Sequence, residues 1–205
     1  MQIKVNPQKP NPKIIEQATA VLKQGGILIY PTDTIYGLGC DIYSQKAINK
    51  IYQLKKREKR KPFSIICADL KEVAKYALIG DYAYRLMKKL LPGPYTFVLK
   101  AKSEVPQTFL PKNKTVGIRI PASPICLALV KELGNPFITT SLNISGQKVM
   151  TSPGQLTKEM RNKVDLILDA GNLGDAPSTI IDLTTDYPVV IREGRGDLNF
   201  LKNLL

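Results

Sequence analysis

Gly25-Gly26-Ile27-Leu28-Ile29-Tyr30-Pro31-Thr32-Asp33-Thr34-Ile35-Tyr36-Gly37-Leu38-Gly39 is the stretch around which the chain is organised. Ile27 to Tyr30 is a short apolar run and reads as a buried strand. It ends in proline, then hydroxyls, then two glycines, which is a turn that brings backbone close to something. Further along, Lys55-Lys56-Arg57-Glu58-Lys59-Arg60-Lys61 puts six positive side chains in seven positions. One anionic ligand held between the two signals explains both, and we read it as a triphosphate.

Composition narrows the classes. With 205 residues and 43% hydrophobic content the chain can bury a proper core. We treat residues 1–205 as one domain. A net charge of +13 and a pI near 9.6 imply an anionic partner such as nucleotide, nucleic acid or membrane surface. Histidine is absent, which excludes a Ser-His-Asp triad, a Cys-His pair and histidine metal ligation. Cys40, Cys67 and Cys126 are widely spaced and sit in or beside apolar runs, so they read as small core residues, not as a zinc or redox motif. The odd cysteine count, with no apolar signal region at Met1 to Pro7, suggests a cytoplasmic location. No run nears the roughly 20 apolar residues that cross a bilayer, so no membrane partner is expected.

Periodicity supplies the elements. Asn11-Pro12 starts a helix carrying Ile14, Ile15, Ala18, Val21 and Leu22, ended by Gly25-Gly26. Ser44 caps a second, with Ala47, Ile48, Ile51 and Leu54 inward, which delivers Lys55 and Arg57 at its C-terminal end. Cations are favoured there by the helix dipole, so a solvated helix end is the simpler reading. Six mutually repelling charges exceed what a cap requires, and phosphate binding is preferred. Strands are expected at 27–30, 63–68, 95–99, 116–121, 136–140, 164–168, 178–183 and 188–192, and helices at 69–77, 81–91, 124–133 and 153–161, with a short helix closing the chain. The polar, Pro-interrupted loop 102–114 reads as mobile. Arg119 stands in an otherwise apolar strand, so it lies either on an exposed face or, the preferred reading, in a polar cavity facing an anion. Thr139-Thr140-Ser141-Leu142-Asn143 is a second strand-to-turn crowded with polar groups, and two such turns suggest one shared site. A strand pair within 164–183, and the pairing of 95–100 with 115–120, depart from regular βαβ repeats. The fold class is therefore α/β: a twisted mixed sheet flanked by helices.

Neither GxxxxGK[ST] nor GxGxxG after a strand is present. The ordered series of the PTDTIYGLG turn, Lys55-x-Arg57, the VGIRIP strand, Thr140 to Asn143, Ser178-Thr179 and the IREG end resembles the YrdC/YciO-type threonylcarbamoyl-adenylate synthase family, over about Gly25 to Gly196. Glu58 to Ser64 departs from the proline and Asn-Pro-Leu that follow Lys-x-Arg in many synthases and is closer to the wording of the YciO branch. The resemblance implies that the twisted mixed sheet and its helices surround a basic cavity, and it implies formation of threonylcarbamoyl-AMP and pyrophosphate from L-threonine, bicarbonate and ATP, with Mg²⁺ on the ATP and no tightly bound protein metal site. A partner threonylcarbamoyl-transferase complex would then modify tRNA. It implies Lys55 and Arg57 as catalytic residues gripping the phosphates. Thr32, Thr34, Arg119, Thr139 and Thr179 are implied to lie at the threonine, and Thr115, Ser141, Asn143, Ser178, Arg192 and Arg195 at the ATP. The alternative, also implied, is an RNA-binding protein of the same fold holding tRNA or double-stranded RNA.

Overall fold

The computed structural model describes residues 1–58 and 62–199. Lys59, Arg60 and Lys61, and residues 200–205 where the closing helix is expected, lie outside the described residues.

Among the described residues ten strands form one sheet: β1 (Gln2–Lys4), β2 (Leu28–Pro31), β3 (Tyr36–Asp41), β4 (Ser64–Ile66), β5 (Tyr95–Lys100), β6 (Thr115–Arg119), β7 (Phe137–Ser141), β8 (Leu166–Asp169), β9 (Thr179–Asp182) and β10 (Val189–Arg192). Their spatial order is β1-β8-β2-β3-β7-β4-β6-β5-β9-β10. Pairing is mixed: β1–β8, β2–β8, β4–β6 and β5–β9 are parallel and the rest antiparallel. The expected partnership of the strands near 95 and 115 is present. The two strands within 164–183 do not pair with each other. β8 inserts between β1 and β2, whereas β9 lies between β5 and β10.

Among the described residues six helices cover the sheet: α1 (Pro12–Lys23), α2 (Gln45–Leu54), α3 (Leu70–Tyr76), α4 (Asp81–Leu90), α5 (Pro124–Leu133) and α6 (Lys158–Asn162). Asn11, Ser44, Asp69, Ser123 and Thr157 cap their helices with side-chain oxygens, each satisfying an otherwise orphan backbone donor. Both faces of the sheet are apolar, so both must be covered. Leu28 and Tyr30 point into a core shared with α1 and α5, while their neighbours Ile27 and Ile29 point into a larger core that takes the buried sides of α2, α3 and α4. The alternation is the period of two that a strand imposes.

Three expectations change. The turn after Pro31 is shorter than read, because Tyr36 to Asp41 is the strand β3. Its glycines argue against a strand by propensity, but the tertiary contact explains them. The Tyr30 ring lies across β3, and a Cβ on Gly37 would sit 2.6 Å from it. From there the Tyr30 hydroxyl donates to Thr139 Oγ1 on β7 at 2.6 Å. Burial pushes the phenol's pKa well up, so it stays a donor. Tyr30→Phe is expected to cost about 1 kcal/mol, read as a melting temperature lower by about 2–4 °C. The helix at 153–161 is instead a 3₁₀ turn, Pro153–Gln155, followed by α6, since Thr157 restarts the helix by accepting from Met160 N–H at 3.2 Å. Loop 102–114 carries the 3₁₀ turn Gln107–Phe109, and its Val105 and Phe109 are buried in the core. β1 was too short to show a pattern. Cys40, Cys67 and Cys126 are buried free thiols.

Candidate functional site

β3, β5, β6, β7, β9 and β10 each send a residue to one cleft of about 140 Å³. Three arginines line it: Arg57 after α2, Arg119 at the end of β6 and Arg192 at the end of β10. Hydroxyls line it as well, from Ser64, Thr96, Thr139, Thr140, Ser141 and Ser178. Side chains from distant parts of the chain therefore converge on one basic, polar hollow.

Arg57 reaches the cleft because of how α2 ends. Lys56 takes the left-handed conformation, φ 48°, usual for glycine at this position. Its N–H bonds Gln53 C=O at 3.1 Å and the Arg57 N–H bonds Tyr52 C=O at 3.0 Å, the paired bonds of a Schellman motif. The chain reverses there, and the Arg57 guanidinium lies 5.4 Å from the Phe63 ring centre while one nitrogen donates to Pro62 C=O at 3.0 Å. Burial lowers its pKa.

Arg119 is buried, and its Nη2 donates to Asp33 Oδ1 at 2.9 Å and to Thr34 Oγ1 at 3.1 Å. Asp33 Oδ2 accepts from Ala122 N–H at 3.0 Å, and the Asp33 backbone oxygen accepts from Arg195 Nη1 at 2.8 Å. Arg119 Nε is buried and has no hydrogen-bond partner among the described residues. A buried donor left open in a cleft wall is a place for a ligand's acceptor. On the far wall, Arg192 donates through Nε and Nη2 to Ser178 C=O at 3.3 and 2.7 Å, and Ser178 Oγ meets Thr96 Oγ1 at 2.8 Å.

Of the sequence-derived candidates, Arg57, Arg119, Thr139, Ser141, Ser178 and Arg192 line the cleft. The others stand outside that lining. Thr32 Oγ1 is used by its own turn: it donates to Ile35 C=O at 2.6 Å and accepts the N–H groups of Thr34 and Ile35 at 3.1 and 3.2 Å. Thr34 meets the cleft through Arg119. Thr179 Oγ1 donates to Gly196 C=O at 2.7 Å and accepts from Gly194 N–H at 3.0 Å, fixing the loop after β10. Thr115 opens β6, at the opposite end of the strand from Arg119, and its hydroxyl donates to Asn113 at 3.0 Å. Arg195 donates from Nη1 to the Asp33 backbone oxygen. Lys55 and Asn143 are bonded to each other behind Ser141. The sequence reading passed over Asp33, Ser64 and Thr96. Asp33 had a signal, a lone carboxylate between two threonines in a chain rich in cations. Ser64 and Thr96 had none, because an isolated hydroxyl in a strand is common.

A twisted, mixed, helix-covered sheet with arginines and hydroxyls converging on one cleft makes this an α/β protein of the YrdC-like fold. The Sua5/YciO/YrdC family model, described as telomere recombination, matches residues 20–194. YciO of Escherichia coli is 41% identical over 95% of each chain, and its crystal structure superposes with a TM-score of 0.92 over 97% of each. Pyrococcus abyssi Sua5, solved in complex with L-threonine, superposes with a TM-score of 0.92 at 31% identity, covering all of this chain and 61% of that one. A Methanocaldococcus jannaschii protein named as a putative threonylcarbamoyl-AMP synthase is 40% identical over 89% of this chain and 86% of its own. The chain belongs to the Sua5/YciO/YrdC family, whose members include proteins named as threonylcarbamoyl-AMP synthases. Among the described residues no helix is long and apolar enough to cross a membrane.

Proposed function

We propose that this protein forms threonylcarbamoyl-AMP from L-threonine, bicarbonate and ATP, releasing pyrophosphate, to supply tRNA threonylcarbamoyladenosine formation through a partner transferase complex. The observation that carries the reading is the open, buried Arg119 Nε in a cleft shared with Arg57 and Arg192. At about 140 Å³ the hollow is smaller than the roughly 300 Å³ of sites that engulf a drug-sized ligand. It suits a threonine-sized amino acid or a phosphate in its depth, with the nucleoside extending from the mouth.

In this reading Arg119 takes the threonine carboxylate, held in orientation by Asp33. The threonine amine takes up CO₂ from bicarbonate as a carbamate. A carbamate oxygen attacks the α-phosphorus, and the bond to the bridging oxygen breaks as pyrophosphate leaves. Such chemistry needs in-line placement and neutralised charge more than a covalent intermediate. Arg57 and Arg192 supply fixed positive charge where it accumulates, which a chain without histidine can do. Mg²⁺ would arrive on the triphosphate, whose own oxygens and water hold it. Among the described residues no cluster of three His, Cys, Asp or Glu is placed to hold a metal by itself. RNA binding by the same fold rests on the net charge of +13, and no residue-level observation adds to it.

Incubating the protein with ATP, threonine, bicarbonate and Mg²⁺ should yield pyrophosphate and a threonine-dependent adenylate detectable by mass spectrometry. Absence of that adenylate across the pH range overturns the reading. Arg57→Ala should cut kcat/KM by about 10–100-fold, the loss of a charge-assisted contact worth roughly 1.5–3 kcal/mol.

A further inference from the structure

Lys55 departs from what its place beside Arg57 suggests. Its side chain is 1% exposed. An ammonium has three N–H donors and no acceptor. All three have acceptors within 3 Å: Nζ lies 2.5 Å from Ser141 C=O, 2.9 Å from Asn143 C=O and 2.7 Å from Asn143 Oδ1. No donor is left over for a phosphate. The backbone of the same residue holds the same turn, since Lys55 C=O accepts from Ser145 N–H at 2.8 Å. One residue thus grips the 141–147 segment at both its main chain and its tip.

The turn is ordered around that grip. Asn143 Oδ1 also accepts from Ser141 Oγ at 2.7 Å, and Asn143 Nδ2 donates to Gln147 C=O at 2.7 Å. Ser141 lines the cleft, and its hydroxyl hydrogen is committed to Asn143. It can therefore offer a ligand only its lone pairs. A fully satisfied buried network of this kind fixes geometry, whereas a partly satisfied one is costly. Burial and the neighbouring Arg57 push the Lys55 pKa down to about 7; they work against the charged form, and the neutral amine, with two donors for the same three oxygens, would have none to spare either.

We infer that Lys55 is a positioning residue: it pins the Ser141–Gln147 turn so that Ser141 faces the cleft as a hydrogen-bond acceptor, and the phosphate contacts fall to Arg57 and Arg192. The inference rests on the nucleotide-using reading of the cleft. It departs from the role the family resemblance implies for this lysine, which is direct contact with ATP.

The test compares Lys55→Met, Lys55→Arg and Arg57→Met in the full chain, by amide hydrogen exchange, ATP binding by calorimetry, and kcat and KM. Lys55→Met should speed exchange at Ser145, whose amide bonds the Lys55 carbonyl, and at Met150, whose amide bonds Leu142 C=O across the turn, by about tenfold or more with β2 and β8 unchanged. It should lower kcat about tenfold while moving the ATP affinity by less than about threefold. Lys55→Arg, which keeps the donors, should recover part of both. Arg57→Met should weaken ATP binding and leave exchange in the turn alone. Should Lys55→Met not fold, Lys55→Gln, which keeps a donor, is read the same way. The inference is overturned if Lys55→Met weakens ATP binding as much as Arg57→Met does while exchange in the turn stays as in the wild type. If the wild type makes no threonine-dependent adenylate, the functional reading fails, and the exchange comparison still decides whether Lys55 holds the turn.

Discussion

Asp33→Ala is expected to lower the melting temperature by about 6–20 °C and to abolish activity. The Arg119–Asp33 pair is buried on both sides, with each side chain 8% exposed. Desolvation makes such a pair a poor net stabiliser, but removing one partner strands the other charge in a low-dielectric site, at about 3–5 kcal/mol. In a chain of this size each kcal/mol moves the midpoint by about 2–4 °C. The loss here goes further than one contact. Ala122 N–H loses its acceptor, and Arg119 keeps only Thr34 Oγ1 at 3.1 Å. The stability effect separates from the chemistry in the double variant Asp33→Ala/Arg119→Leu. That variant removes both charges and should recover much of the melting temperature by scanning calorimetry without recovering any adenylate formation. If Asp33→Ala melts within about 2 °C of the wild type, the pair does not hold the turn, and the account of Arg119 orientation fails with it.

Gly39→Ala is expected to be the most disruptive single-methyl change in the sheet. A Cβ at this position would collide with the backbone carbonyl of Ile138 on β7, and would lie 3.1 Å from the Tyr30 ring and 3.3 Å from the Phe137 ring. A flexible side chain can step aside, but a carbonyl in the β3–β7 ladder moves only by opening that ladder. The expected cost is at or above the top of the ~1–3 kcal/mol usual for overpacking, seen as an early thermal transition or insoluble expression. Gly37→Ala gives the comparison, since the three atoms nearest its Cβ would all belong to the Tyr30 side chain. Tyr30→Leu should therefore rescue Gly37→Ala and fail to rescue Gly39→Ala. Equal rescue of both would mean that Tyr30, not the strand spacing, sets the need for glycine at both positions.

Much of this molecule was legible in the sequence. The helices from Asn11 and Ser44 are announced by their capping residues, and these two and the helix at 124–133 by apolar spacing of 3.6, signals that act within a few residues. Arg119, an isolated charge in an apolar strand, could be read as facing a cavity because an unpaired arginine has no place in a core. The strand β3 could not be read, because Gly37 and Gly39 weaken it locally and are needed only in the folded sheet, Gly37 where the Tyr30 ring crosses to reach Thr139 and Gly39 where the Ile138 carbonyl of β7 comes close.

Residue types, their local spacing and the excess of positive charge decided the fold class, most of the elements and the kind of ligand sought, since these depend on chain-local chemistry. Only the folded arrangement decided which cations face the cleft. Lys55 and Arg57 are two residues apart in sequence, yet one is saturated by carbonyls and the other lines the cleft. Which way each side chain points is set by hydrogen-bond partners 86 and 88 positions away for the lysine and by a left-handed turn at Lys56 for the arginine, and neither is written in the local pattern.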